Sequence, residues 1–172
     1  MSRRLSIRVL LLSVALCSGL SQSALAQEDA TARGESRTYF YRSHNVKTGE
    51  IVGESSRRIE PRPDGGYKVS VEWKSYPDTS AGTQEYILDE NFSTLSWKTL
   101  NPKANTDYRG ERNGKVILIT GTLKGETVSK EIDIDEKPLY NNPNLGLENF
   151  VRSGEEKREF HTLRPSDLKR YK

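Results

Sequence analysis

The sequence predicts a mainly β protein: an antiparallel meander of about nine short strands with one short late helix, its sheet bent into a half-barrel or an up-and-down barrel. Three observations predict it. From Ser36 onward, runs rich in Tyr, Val, Ile, Thr and Trp alternate with Gly, Asn, Asp and Pro breaks, at the roughly 8–12-residue spacing of consecutive short strands. Within Tyr67–Ser75, Tyr67, Val69, Val71 and Trp73 alternate with Lys68, Ser70, Glu72 and Lys74. A period of two with one apolar face marks a half-buried antiparallel strand. Finally, Asn113-Gly114 separates two such runs and suits a type I′ hairpin turn, whose central residues need positive φ. Short connections favour antiparallel neighbours. A sheet apolar on one side must then curl to hide that side.

The strands follow in order. Arg37–His44 ends at Lys47-Thr48-Gly49, and Glu50–Glu60 ends at the break from Pro61 to Gly66. Tyr67–Ser75 comes third. Gln84–Asp89 places Tyr86 and Leu88 on one face, and Thr94–Leu100 places Leu95 and Trp97 on one face. Asp107–Arg112 and Lys115–Leu123 flank the Asn-Gly turn, and Lys124-Gly125 leads into Glu126–Asp135. Pro143–Ser153 spaces Leu147, Phe150 and Val151 as a short helix, with Asn144 as cap and Gly154 as stop. Glu156–Leu163 is the last predicted strand, and Ser166–Lys172 is a short charged end.

The first 26 residues read as a secretory leader. Arg3, Arg4 and Arg8 open it, Val9–Leu16 is its apolar stretch, and Ala24-Leu25-Ala26 is a small-residue cleavage site. Cys17, Ser18, Gly19 and the polar residues after them cut the apolar run well below the ~20 residues a spanning helix needs. Lipidation at Cys17 requires a small residue before the cysteine, and Leu16 is large. A twin-arginine route requires Phe or Leu where Ser6 stands, so ordinary export is expected. Residues 27–35 are a polar lead-in, and 36–172 form a single domain. The expected location is the periplasm or the exterior.

Cleavage after Ala26 changes the charge. The chain has 27 Lys and Arg against 24 Asp and Glu. The three leader arginines account for the whole excess, leaving 24 against 24. No surplus remains to attract nucleic acid or an anionic membrane. Cys17 and Met1 are the only residues of their kinds. The exported chain therefore has no disulfide, nucleophilic thiol or sulfur ligand.

The export signal, the meander and a helix set against it resemble the Lol-type lipoprotein carriers and related periplasmic bent-sheet families. The resemblance rests on Tyr39, Gly49, Gly53, Asp64-Gly65-Gly66-Tyr67 and the Phe160–Lys169 segment. It covers most of 36–170 as a pattern, and departs from the carriers in having no helix before the first strand. It implies a concave apolar face able to hold an acyl chain or an apolar protein segment. Because the chain stops soon after its last predicted strand, a sheet completed by a partner or a second copy is also expected.

Chemistry-bearing residues are few. A closed barrel brings the first and last strands together, and with them His44 and His161. A two-histidine metal site with Asp133 or Asp135 would follow, against the plainer reading of both as strand-edge residues. Glu131, Asp133 and Asp135 share one strand face and read first as a solvated row. No G-x-S-x-G or His-Glu-x-x-His is present, and the glycines read as turn residues. Asn91-Phe92-Ser93 is a glycosylation sequon, relevant only in a eukaryotic secretory route. Neither a catalytic residue, a metal ligand nor a cofactor is assigned. The candidate ligand-binding residues are Tyr67, Val69, Val71, Trp73, Leu95 and Trp97. The sequence thus points to an exported binding module for an apolar ligand or an envelope protein. The alternative is an envelope interaction protein with a filled core. The oligomeric state is left open.

Overall fold

The computed structural model describes residues 35–142, 150, 154, 156–157, 159–163 and 167–171. The leader, almost all of the lead-in, and the predicted helix 143–153 apart from Phe150 lie outside the described residues.

Eight strands form one sheet: β1 (Arg37–His44), β2 (Ile51–Pro61), β3 (Tyr67–Ser75), β4 (Ala81–Leu88), β5 (Thr94–Asn101), β6 (Thr106–Asn113), β7 (Val116–Leu123) and β8 (Glu126–Asp133). Each pairs antiparallel with the next, so their order in space is their order in sequence. The meander is as expected. Among the described residues the closed barrel and the ninth long strand are not found, because the sheet stays open with β1 and β8 as its edges. Within the run predicted as a strand over 156–163, the described residues pair as a strand only at its end, where β9 (Thr162–Leu163) meets β10 (Arg170–Tyr171). The charged start of that run, Glu156-Lys157, offers no apolar alternation for a sheet face. His161 instead makes a parallel bridge to Leu139.

Turn chemistry explains the hairpins. Asn113 pairs with Val116, so Gly114-Lys115 forms the loop, one residue later than predicted. Only Gly114 of that pair has positive φ, at 61°, the sign pattern of a II′ turn rather than I′. Positive φ at both central residues occurs at Lys124 and Gly125, with φ of 54° and 85°. Leu123 and Glu126 pair across that turn.

The core lies on one face of the sheet. Val69, Tyr86, Leu88, Trp97, Tyr108, Ile117 and Ile119 are buried there. Ile134, Leu139, Leu163 and Leu168 fold over them from the segment after β8 and complete the same cluster. The chain therefore fills much of its own apolar face. Backbone and side-chain hydrogen bonds fix this cover. Thr94 N donates to Leu139 O at 2.6 Å, Leu139 N to Ser93 Oγ at 3.1 Å, and Lys130 Nζ to Leu168 O at 3.1 Å.

Several glycines lie inside strands rather than at turns, a correction to the sequence reading. Gly82 and Gly110 make room for the two indoles. A Cβ on Gly110 would sit 2.2 Å from Trp97 ring carbons, and one on Gly82 would sit 2.7 Å from the Trp73 ring. Each tryptophan thus lies across the glycine paired with it on the neighbouring strand.

Candidate functional site

The six candidate ligand residues divide by position. Val69 and Trp97 are buried in the core under the chain's own cover. Tyr67 and Val71 are half-buried against it, and Tyr67 stacks on Phe92 with ring centroids 4.3 Å apart. Trp73 lines a surface groove. Leu95 departs from the expected face. Ile87 stands opposite Ser96 and Leu88 opposite Thr94, so Leu95 has no residue across from it. This bulge breaks the alternation. Leu95 is left 38% exposed while Trp97 is 3% exposed.

The groove that Trp73 lines has a volume of about 670 Å³. Its floor is a cross-strand row: Phe40 faces Ser56, Ser56 faces Glu72, Glu72 faces Thr83 and Thr83 faces Leu100. Residues paired across antiparallel strands share a face, and this row alternates with the core-facing residues of β3. Most of the groove's lining therefore belongs to the sheet face opposite the core, while Trp73 lines it from the alternate, core-side row together with Tyr41, Ser55 and Gly82. Phe40 is 81% exposed, the most exposed large apolar side chain among the described residues. Ala81, Leu100 and Pro102 add apolar surface.

The rim is charged but balanced. Arg42 Nε donates to Glu54 Oε1 at 3.1 Å, and Lys74 and Glu72 also line the groove. A hydrogen bond from Tyr76 is the largest influence holding the Glu54 carboxyl below its usual range, with Arg42 and Lys74 adding to it. The same contact with Glu54 pushes the Tyr76 hydroxyl up. Sequence reasoning misses Phe40, Glu54 and Leu100 because it searches the inward rows. The available signal is Phe40 itself, an aromatic of the opposite parity to Tyr39 and Tyr41 on β1.

A second cleft, about 490 Å³, takes in Leu95, Arg112, Glu136 and Tyr140. Arg112 is tied down there, donating to Gly114 O at 3.1 Å and, more weakly, to Ser93 Oγ and Asp135 O at 3.4 Å.

The two histidines do not meet. His44 Nδ1 lies 3.0 Å from Gly49 O in the first hairpin. His161 is fully buried, with Nε2 2.7 Å from Asp135 Oδ1. The open sheet keeps β1 and β8 as opposite edges, which removes the expected reason for the histidines to be neighbours. Among the described residues, no three metal-ligating side chains converge. Asp135 lies beyond the end of β8 and so leaves the expected row with Glu131 and Asp133. The Lys137 backbone N–H, then the His161 ring and the Lys137 ammonium, hold its carboxyl down at about 2. Among the described residues, no helix is long and apolar enough to cross a membrane. No protein-family model, curated protein or solved structure matches this chain.

Proposed function

We propose that the protein is an exported binding module that takes an apolar ligand, an acyl chain or an apolar protein segment, in the groove floored by Phe40 and Leu100. The carrying observation is a concavity of about 670 Å³ with a phenyl ring 81% exposed beside it. Small-molecule sites usually enclose about 300–1,000 Å³ and combine apolar lining with a few polar groups. The resemblance to bent-sheet lipoprotein carriers supports the ligand class, with the site moved from the core face to its reverse. The leader supports the export.

The two tryptophans make the test direct, because Trp73 lines the groove and Trp97 is buried elsewhere. Titration with a fatty acid and with a lipopeptide should shift indole emission saturably. The shift should persist in Trp97→Phe and vanish in Trp73→Phe. Phe40→Ala should weaken binding by roughly ten- to a hundredfold, given about 1.5–3 kcal/mol for burying a large apolar side chain. A flat titration with both amphiphiles rejects the proposal.

A second reading is favoured by the cover on the core face. Ile134, Leu139, Leu163 and Leu168 occupy that face, as an envelope interaction protein with a filled core requires. It expects no response to amphiphiles and capture of a protein partner through exposed surface.

A further inference from the structure

We propose that copies of this chain associate head to tail, with β1 of one copy adding to β8 of the next and extending the sheet. The inference does not rest on the ligand reading. Both outer strands are eight residues long, and among the described residues neither pairs with a further strand. Such an edge presents unpaired N–H and C=O groups to another strand. The two edges differ in charge. β1 has arginine at Arg37 and Arg42 and no carboxylate of its own, Arg42 also pairing with Glu54 of β2 on the same face. β8 has Glu126, Glu131 and Asp133 against the single Lys130, whose ammonium is already held by Leu168 O. Among the described residues, Glu131 and Asp133 are exposed and form no ion pair.

Strand parity gives the direction. In a meander of eight strands, β1 and β8 run opposite ways. β1 of a second copy laid on β8, with core faces on the same side, therefore continues the antiparallel ladder. Facing also agrees. One cross-strand row runs from Phe40 through Ser56, Glu72, Thr83, Leu100, Asp107 and Thr122 to Thr127. Arg42 on β1 and Glu131 on β8 share the face of that row by period two. Placing Arg42 opposite Glu131 puts Tyr41 opposite Ile132 on the other face. It also brings the exposed Phe40 opposite Asp133. Arg170 donates to Asp133 O, so in this register the ladder ends where Phe40 meets Asp133 and residues 37–39 extend past it. A β1-to-β1 pair would instead bring two arginine-bearing edges together. The association is heterologous, so it builds rows rather than closed dimers.

Sedimentation velocity of the exported full domain, from micromolar up to about 1 mM where contacts of a few kcal/mol populate, tests this. Mass should rise past the dimer with concentration and fall with added salt. Arg42→Glu and Glu131→Arg should each weaken association by roughly tenfold. An equimolar mixture of the two variants should recover it, because junctions between unlike variants pair opposite or restored charges. Glu131 lies on the far edge from the groove, so its variant reports association apart from ligand binding. A monomer at every concentration overturns the proposal. A dimer ceiling, or a mixture no better than its parts, overturns it as well. Circular dichroism of each variant distinguishes lost association from lost folding, and Glu131→Gln supplies a milder substitute should a reversal unfold.

Discussion

Gly110 has no side chain, and the Trp97 indole uses the space. The pair sits mid-sheet, directly across β5 and β6. Even a methyl group there would lie 2.2 Å from the ring, so Trp97 must leave its position or the strands must part. Gly110→Ala should therefore destabilise the domain by about 1–3 kcal/mol, the usual cost of overpacking. Urea unfolding followed by circular dichroism measures it. Pairing it with Trp97→Leu tests the cause, since the double variant should lose less than the sum of the singles. Additive losses would mean that the ring and the glycine are independent. The same contact marks how far single residues are legible. Trp97 is readable as an aromatic on an apolar face. Its glycine is not, because the partner lies across a strand pairing whose register the sequence does not print. Leu95 misleads for a related reason: period two holds only while every residue has a partner, and a bulge resets it.

At the scale of elements, the segment after β8 is fastened by a few polar contacts. Asp135 receives the Lys137 N–H at 2.9 Å and the His161 ring at 2.7 Å. His161 N donates to Pro138 O and Tyr140 N to His161 O, both at 2.8 Å. Lys137 Nζ lies 2.7 Å from Glu159 Oε2. Asp135 thus ties both strips of the cover, one through Lys137 and the other through His161. Its folded value, about 2, lies below the unfolded value of about 3.9. A depressed carboxyl stabilises the fold fully above the unfolded value. That contribution is lost as pH falls from about 4 toward 2. Asp135→Asn should remove this part of the acid sensitivity. The stability difference from wild type should therefore shrink as pH falls from about 4 toward 2. Parallel urea midpoints across that range would mean that Asp135 titrates alike in both states. The eight main strands are legible because each alternates or carries turn residues at its ends. The cover is not, because its contacts are isolated leucines, a histidine and backbone groups without a period.

Among the described residues, the molecule is an open sheet that covers much of one face with its own chain and leaves the other face and most of both edges exposed. The meander of short links behind that arrangement is visible in the sequence. Openness itself is not visible there, because closure depends on twist and on where the last segment goes. Charge supplies a prediction at this scale. The full chain, at net +3, has an isoelectric point near 8.9. Arg3, Arg4 and Arg8 carry all of that excess. Cleavage after Ala26 should move the isoelectric point down toward neutrality, with Gln27 as the new first residue. Isoelectric focusing and mass measurement of the exported protein check both outcomes together. Retention of the basic value in the exported form would disprove cleavage there. Near neutral pH the exported domain would also have no net charge to keep copies apart. The local contrast between β1 and β8 then acts without a global repulsion to oppose it, so head-to-tail association should be strongest near neutrality at low salt and weaken at either side.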